Sequence, residues 1–141
     1  MNKHIDISLN PLNPKSPNDK LYAAAMNKNI NAVTNALNDG ADIDVCFSDG
    51  MTPLMIAICQ RSKDIVMLLI EKGADINAKT NDPFTPLIYA AVQGFPDIVE
   101  LLIKMGADVS ICGGPPNHLS AYEYAKKYRH NQTVKTIEQA K

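Results

Sequence analysis

Apolar residues fall along this chain in short bursts at helical spacing, with polar stretches between them. Leu21, Ala24 and Ala25 stand at i, i+3 and i+4, which is one face of a helix. Val33, Ala36 and Leu37 make a second burst that stops at Gly40, and Leu54, Ala57 and Ile58 make a third. Ile65, Val66, Leu68 and Leu69 make a fourth, which stops at Gly73. The flanking residues agree with helices. Ser16 can cap, Pro17 suits a first helical position, and Asp19 favours the positive end of the helix. Pro53 and Pro96 sit where a missing N–H costs little. Asp64 opens the fourth burst, and Gly73 suits a left-handed helix end.

The bursts repeat. Thr52-Pro53-Leu54 returns as Thr85-Pro86-Leu87, and Asp64-Ile65-Val66 as Asp97-Ile98-Val99, each after 33 residues. Gly40-Ala41-Asp42, Gly73-Ala74-Asp75 and Gly106-Ala107-Asp108 keep the same interval. A fixed period of this length means stacked supersecondary units. It divides the chain into an irregular segment at 1–16, a first repeat at 17–48, two repeats at 49–81 and 82–114, and a last repeat at 115–141. The first and last read as caps, the first because it lacks Thr-Pro-Leu, the last because its final helix is polar apart from Val134 and Ile137. Thr136 belongs to that polar helix and is expected at the surface. In the leading segment Ile5, Ile7 and Leu9 alternate with polar residues, a strand-like pattern.

The turns differ between copies. Asp49-Gly50 predicts a tight turn with positive φ. The aligned residues in the next copy are Asp82-Pro83, and proline cannot take positive φ, so that tip should differ in shape. Gly94 separates the two helices of one repeat, and Arg61 stands at the same place in the preceding one. Arg61 is therefore expected at positive φ, with some strain. Beyond Gly113 the register breaks: Ser120 to Ala125 aligns with Thr85 to Ala90 at a spacing of 35, so two extra residues fall in the loop Gly113-Gly114-Pro115-Pro116-Asn117.

The motif Thr52-Pro53-Leu54-Met55-Ile56-Ala57, and its copy Thr85-Pro86-Leu87-Ile88-Tyr89-Ala90, resembles the opening of an ankyrin repeat, a 33-residue unit of one turn and two helices. The histidine of the family signature is replaced by Met55 and Ile88, which exchanges a hydrogen-bonding side chain for apolar packing. The resemblance covers about residues 18–141. It implies an all-α solenoid of stacked helix-turn-helix pairs with short hairpin fingers. Asp75-Ile76-Asn77 and Asp108-Val109-Ser110 are then hairpin entries.

The same resemblance implies a protein partner bound by the concave face of fingers and first helices. The family's variable positions fall on Cys46, Ser48, Asp49, Met51, Cys59 and Gln60, and on Lys79, Asn81, Asp82, Phe84, Val92 and Gln93. Met26, Asn27, Lys127 and Tyr128 flank them. Met51 and Phe84 lie just before Thr-Pro-Leu, in the hairpin rather than between helices, so both are expected at the surface as anchors. Met26, Cys59 and Val92 either extend that apolar stripe or pack between first helices. An inhibitor or immunity-type protein for one cognate enzyme or toxin is the narrower alternative; an enzyme is the alternative of another class.

Composition adds exclusions. Fourteen basic and fifteen acidic side chains leave a net charge of −1, which gives no drive toward nucleic acid or an anionic membrane. No apolar run approaches the roughly 20 residues of a spanning helix. Met1-Asn2-Lys3-His4-Ile5-Asp6 lacks a secretory apolar core, so a cytoplasmic protein is expected, with export by a route that uses no cleaved signal left open; the unbound protein is expected to be a monomer. Cys46, Cys59 and Cys112 show no Cys-x-x-Cys spacing and read as reduced thiols. Cys46 and Cys112 are two repeats apart, about 20 Å at the usual helix spacing, beyond disulfide reach. His4, His118 and His130 are scattered, with no partner at metal-ligand or triad spacing. No catalytic residue, cofactor or metal is assigned, and His130 reads as structural.

Overall fold

The computed structural model describes residues 16–140. The strand-like pattern at Ile5, Ile7 and Leu9 lies outside them. Among the described residues there are eight α-helices, and an isolated strand-type bridge pairs Cys112 with Ser120. The helices divide between two compact units, one ending at Asp75 and the other beginning at Ile76.

In the first unit α1 (Pro17–Met26) is followed by α2 (Ile30–Asn38), and α3 (Pro53–Cys59) by α4 (Lys63–Glu71). First helix packs on first helix (α1 on α3), second on second (α2 on α4), and each pair packs internally. The Thr-Pro-Leu opening explains why α3 starts where it does. Thr52 Oγ1 accepts the Met55 amide at 3.4 Å, Pro53 supplies a preset φ, and Leu54 points into the core. Ser16 and Asp19 cap α1 reciprocally, a capping box that replaces Thr-Pro-Leu in the first copy. Leu21, Val33, Leu54, Ile58, Ile65 and Leu69 are fully buried between the helices. Each such side chain contributes about 1.5–3 kcal/mol.

The second unit repeats the plan with α5 (Pro86–Gln93), α6 (Pro96–Lys104), α7 (Ala121–Lys127) and α8 (Asn131–Ala140). Here α5 packs on α7 and α6 on α8. Ser120 and Glu123 form a capping box at α7. The final helix is less polar in packing than in composition. Thr133, Thr136 and Ile137, at i, i+3 and i+4, are all buried, and Thr136 Oγ1 donates to the Gln132 carbonyl at 2.9 Å. Thr136 is thus a core residue, contrary to the expectation from composition, because its register matters more than its polarity.

Every helix pair turns through one left-handed residue. Lys28 has φ 56°, Arg61 54°, Gly94 72° and Arg129 60°. The alignment of Arg61 with Gly94 therefore gave the right backbone. A side chain follows the same periodicity at the loops. Asp44 Oδ1 accepts the Asp75 amide at 2.9 Å, and Asn77 Oδ1 accepts the Asp108 amide at 2.9 Å. The Asp42 amide donates to Asn18 Oδ1, at 2.8 Å.

Candidate functional site

The finger of the first unit closes between Phe47 and Met51, where the Phe47 amide donates to the Met51 carbonyl at 2.8 Å. Its tip has Asp49 at φ 63°, ψ 12° and Gly50 at φ 81°, the double positive-φ turn that Asp-Gly favours. The strand-like lead-in is buried: Val45, Cys46 and Phe47 are all under 5% exposed. Cys46, a sequence candidate for partner contact, is therefore inside, its thiol directed at the Asp44 carbonyl. Phe47 packs edge-on against Tyr22 at 4.9 Å and forms a floor.

Above that floor lies a cleft of about 360 Å³. Ser48, Asp49 and Met51 form its finger wall, and Cys59 and Gln60 close the end of α3. Five of the sequence candidates thus meet at one place. Met26, 39% exposed, stands on the α1 side, and Gln60 Nε2 donates to its sulfur at 3.7 Å. Tyr22 and Ile56 also line the cleft and were not foreseen. Met51 is half-buried rather than exposed, because it leans into this cleft.

The second unit's finger closes from Thr80 to Phe84 with the same hydrogen bond, at 3.0 Å. As expected from Pro83, no residue between them takes positive φ. Lys79, Asn81 and Asp82 are exposed along this finger. Phe84 is not. Its ring packs edge-on to both Tyr89 and Tyr124 at 5.7 Å, and a Cβ on Gly113 would fall 2.8 Å from it. The expectation that Phe84 contributes little to folding is thereby corrected: it closes an aromatic cluster. Tyr124 continues the cluster by stacking on Tyr128 at 6.3 Å, and Tyr128 is 47% exposed with the Lys127 ammonium 5.6 Å from its ring. Burial, with the neighbouring Tyr128, holds the Tyr124 phenol above its ordinary pKa. Val92 and Gln93 are half-buried at the end of α5, where the Val92 carbonyl accepts His130 Nε2–H at 2.9 Å. His130 thus ties α8's start to α5. A third finger closes from Gly113 to Leu119 at 2.8 Å, two residues longer than the others.

Three of the residues that sequence reasoning missed share a register. Ile56, Tyr89 and Tyr124 each stand immediately before the small Ala57, Ala90 and Ala125. Large side chains at one repeat position, next to an alanine that lets helices approach, were the available signal.

Residues 21–113 match the family model of ankyrin repeats, in three copies. The chain belongs to the ankyrin-repeat family. Ankyrin repeats are generally modules of protein–protein interaction. In this ankyrin-repeat protein α7 and α8 lie beyond the matched segment, yet they form a further helix pair of the same plan. No curated protein matches the chain. Among the described residues no three His, Cys, Asp or Glu side chains are grouped to hold a metal, and no helix is long and apolar enough to cross a membrane. The cysteines form no disulfide among the described residues; Cys59 is half-buried and Cys112 exposed.

Proposed function

We propose that this ankyrin-repeat protein is a non-enzymatic binding module, acting as a cytoplasmic monomer that engages a partner protein with its fingers and first helices. The cleft under the first finger carries the proposal. It gathers Met51, Ser48, Asp49, Cys59 and Gln60, contact positions by the family resemblance, around an open apolar hollow. Clefts lined by large apolar side chains with a polar rim are where anchor residues of a partner insert. The exposed Tyr128 and Lys127 of the second unit supply a further aromatic contact of the kind enriched in interfaces. The near-neutral charge favours protein over nucleic acid.

The test is affinity capture from the source cell with mass spectrometry, followed by binding measurements on purified partner. Met51→Ala and Tyr128→Ala should each weaken binding at least tenfold, about 1.4 kcal/mol. Met67→Ala, on the exposed face of α4, should leave it unchanged. Loss of binding only in the Met67 variant would move the interface to the second helices around Lys63, Met67 and Glu71.

A further inference from the structure

The chemistry of the first unit's cleft specifies what can fill it. The proposal rests on the binding-module reading and adds the partner's character. Its walls are set by Tyr22, Met26, Met51 and Ile56, all large and apolar or aromatic. Two of these four are thioethers, which rearrange to accept side chains of different shape. Such a cleft selects for apolar bulk rather than for one contour.

Charge narrows the choice further. Asp49 is the only formally charged residue among those lining the cleft, and no lysine or arginine lines it. The surrounding unit leans the same way: residues 16–75 contain eight acidic and five basic side chains. Asp49 sits at the exposed tip of the finger, in a turn that sets its backbone at φ 63°, ψ 12°. The turn does not require that charge. Asn-Gly takes the same two positive-φ positions as readily as Asp-Gly. The negative charge is therefore surplus to folding and available to a ligand.

We infer that the cleft receives a partner polypeptide presenting one large apolar side chain adjacent to a lysine or arginine. The apolar group enters between Met26 and Met51, and the cation meets Asp49 at the rim. Next to a surface that excludes water, that ion pair is strengthened relative to one in open solvent.

A random-peptide phage library panned against the full chain tests this directly. Enriched clones should share a large apolar residue adjacent to Lys or Arg. A synthetic peptide of that consensus is then titrated by fluorescence anisotropy. Asp49→Asn preserves the turn and should weaken binding roughly threefold, the scale of one exposed ion pair. The same variant should flatten the dependence on salt between about 50 and 500 mM. Met26→Ala should weaken binding at least tenfold, as loss of an anchor contact does. Asp39→Asn, exposed at the end of α2 and outside the cleft, should change nothing. A consensus with acidic neighbours, equal binding by the Asp49→Asn and Met26→Ala proteins, or a library that yields no enriched clone would each overturn the inference. The first two would leave the binding-module reading standing, since a polypeptide is still bound. That reading fails separately, if captured partners bind the Met51→Ala and Tyr128→Ala proteins undiminished.

Discussion

The imidazole of His130 occupies the space that a side chain on Gly94 would need: a Cβ there would fall 2.5 Å from its Nδ1. The two residues are also linked through the backbone, since His130 Nε2 donates to the carbonyl of Val92, two residues before the glycine. Gly94 thus meets two demands at once, a left-handed φ of 72° and close approach by a ring. Gly94→Ala should cost about 2 kcal/mol or more in a urea melt. Adding His130→Ala should recover part of that loss, so the pair should be non-additive in a double-mutant cycle. Strict additivity would show that only the backbone conformation matters.

Arg61 holds the same place in the preceding repeat, at φ 54°. The left-handed conformation costs a residue with a Cβ more than it costs glycine. Arg61→Gly should therefore raise stability by about 1 kcal/mol or slightly less, the entropy of the unfolded glycine offsetting part of the gain. Thermal unfolding followed by circular dichroism measures it. A lower melting temperature would mean that the arginine side chain contributes more than its backbone strain removes.

Met51 and Phe84 are one repeat apart but differ in duty. Phe84→Ala removes edge contacts to Tyr89 and Tyr124 and should destabilise by about 2–3 kcal/mol. Met51→Ala opens one side of an already open cleft and should cost under about 1 kcal/mol. Equal losses in urea would contradict this division of roles.

Asp108 gives a pH signature. Its carboxylate accepts the Ser110 hydroxyl at 2.6 Å and the Ser110 amide at 2.9 Å, and these bonds, the side-chain one foremost, hold its pKa below the ordinary carboxylate value. A carboxylate depressed by folding adds stability above its unfolded pKa near 4 and loses it as pH falls through the folded value. Ser110→Ala should raise the Asp108 pKa toward its ordinary value in an NMR titration. The stability gap between wild type and variant should also narrow in acid. An unmoved titration would show that the hydroxyl is not the cause.

Much of this architecture was legible because its signals are local. Thr52, Pro53 and Leu54 carry cap, first-turn geometry and core contact in consecutive positions, and the 33-residue period copies them intact. The same period gave the backbone of Arg61, and the proline at 83 gave the altered second tip. What escaped depended on contacts far apart in sequence. Phe84 looked like a loop residue until Tyr124, 40 positions later, was seen to pack against it. Cys46 was placed outside as a variable position of the family and Thr136 on composition, while the chain's direction at each position placed them within. The cleft was half legible: the family resemblance pointed to its rim at Met51, Asp49 and Gln60, but not to Tyr22 and Ile56 on its walls.

The bonds from Asp44 to the Asp75 amide and from Asn77 to the Asp108 amide have a consequence for how such a chain grows. The acceptor is a short side chain, and the donor is main chain. Nothing about the joint depends on which residue donates, provided that it is not proline. A segment copied in tandem would arrive with its own acceptor and a compatible donor. Ancestral duplication could therefore lengthen this protein one unit at a time without reinventing the joint, leaving the exposed fingers to diverge.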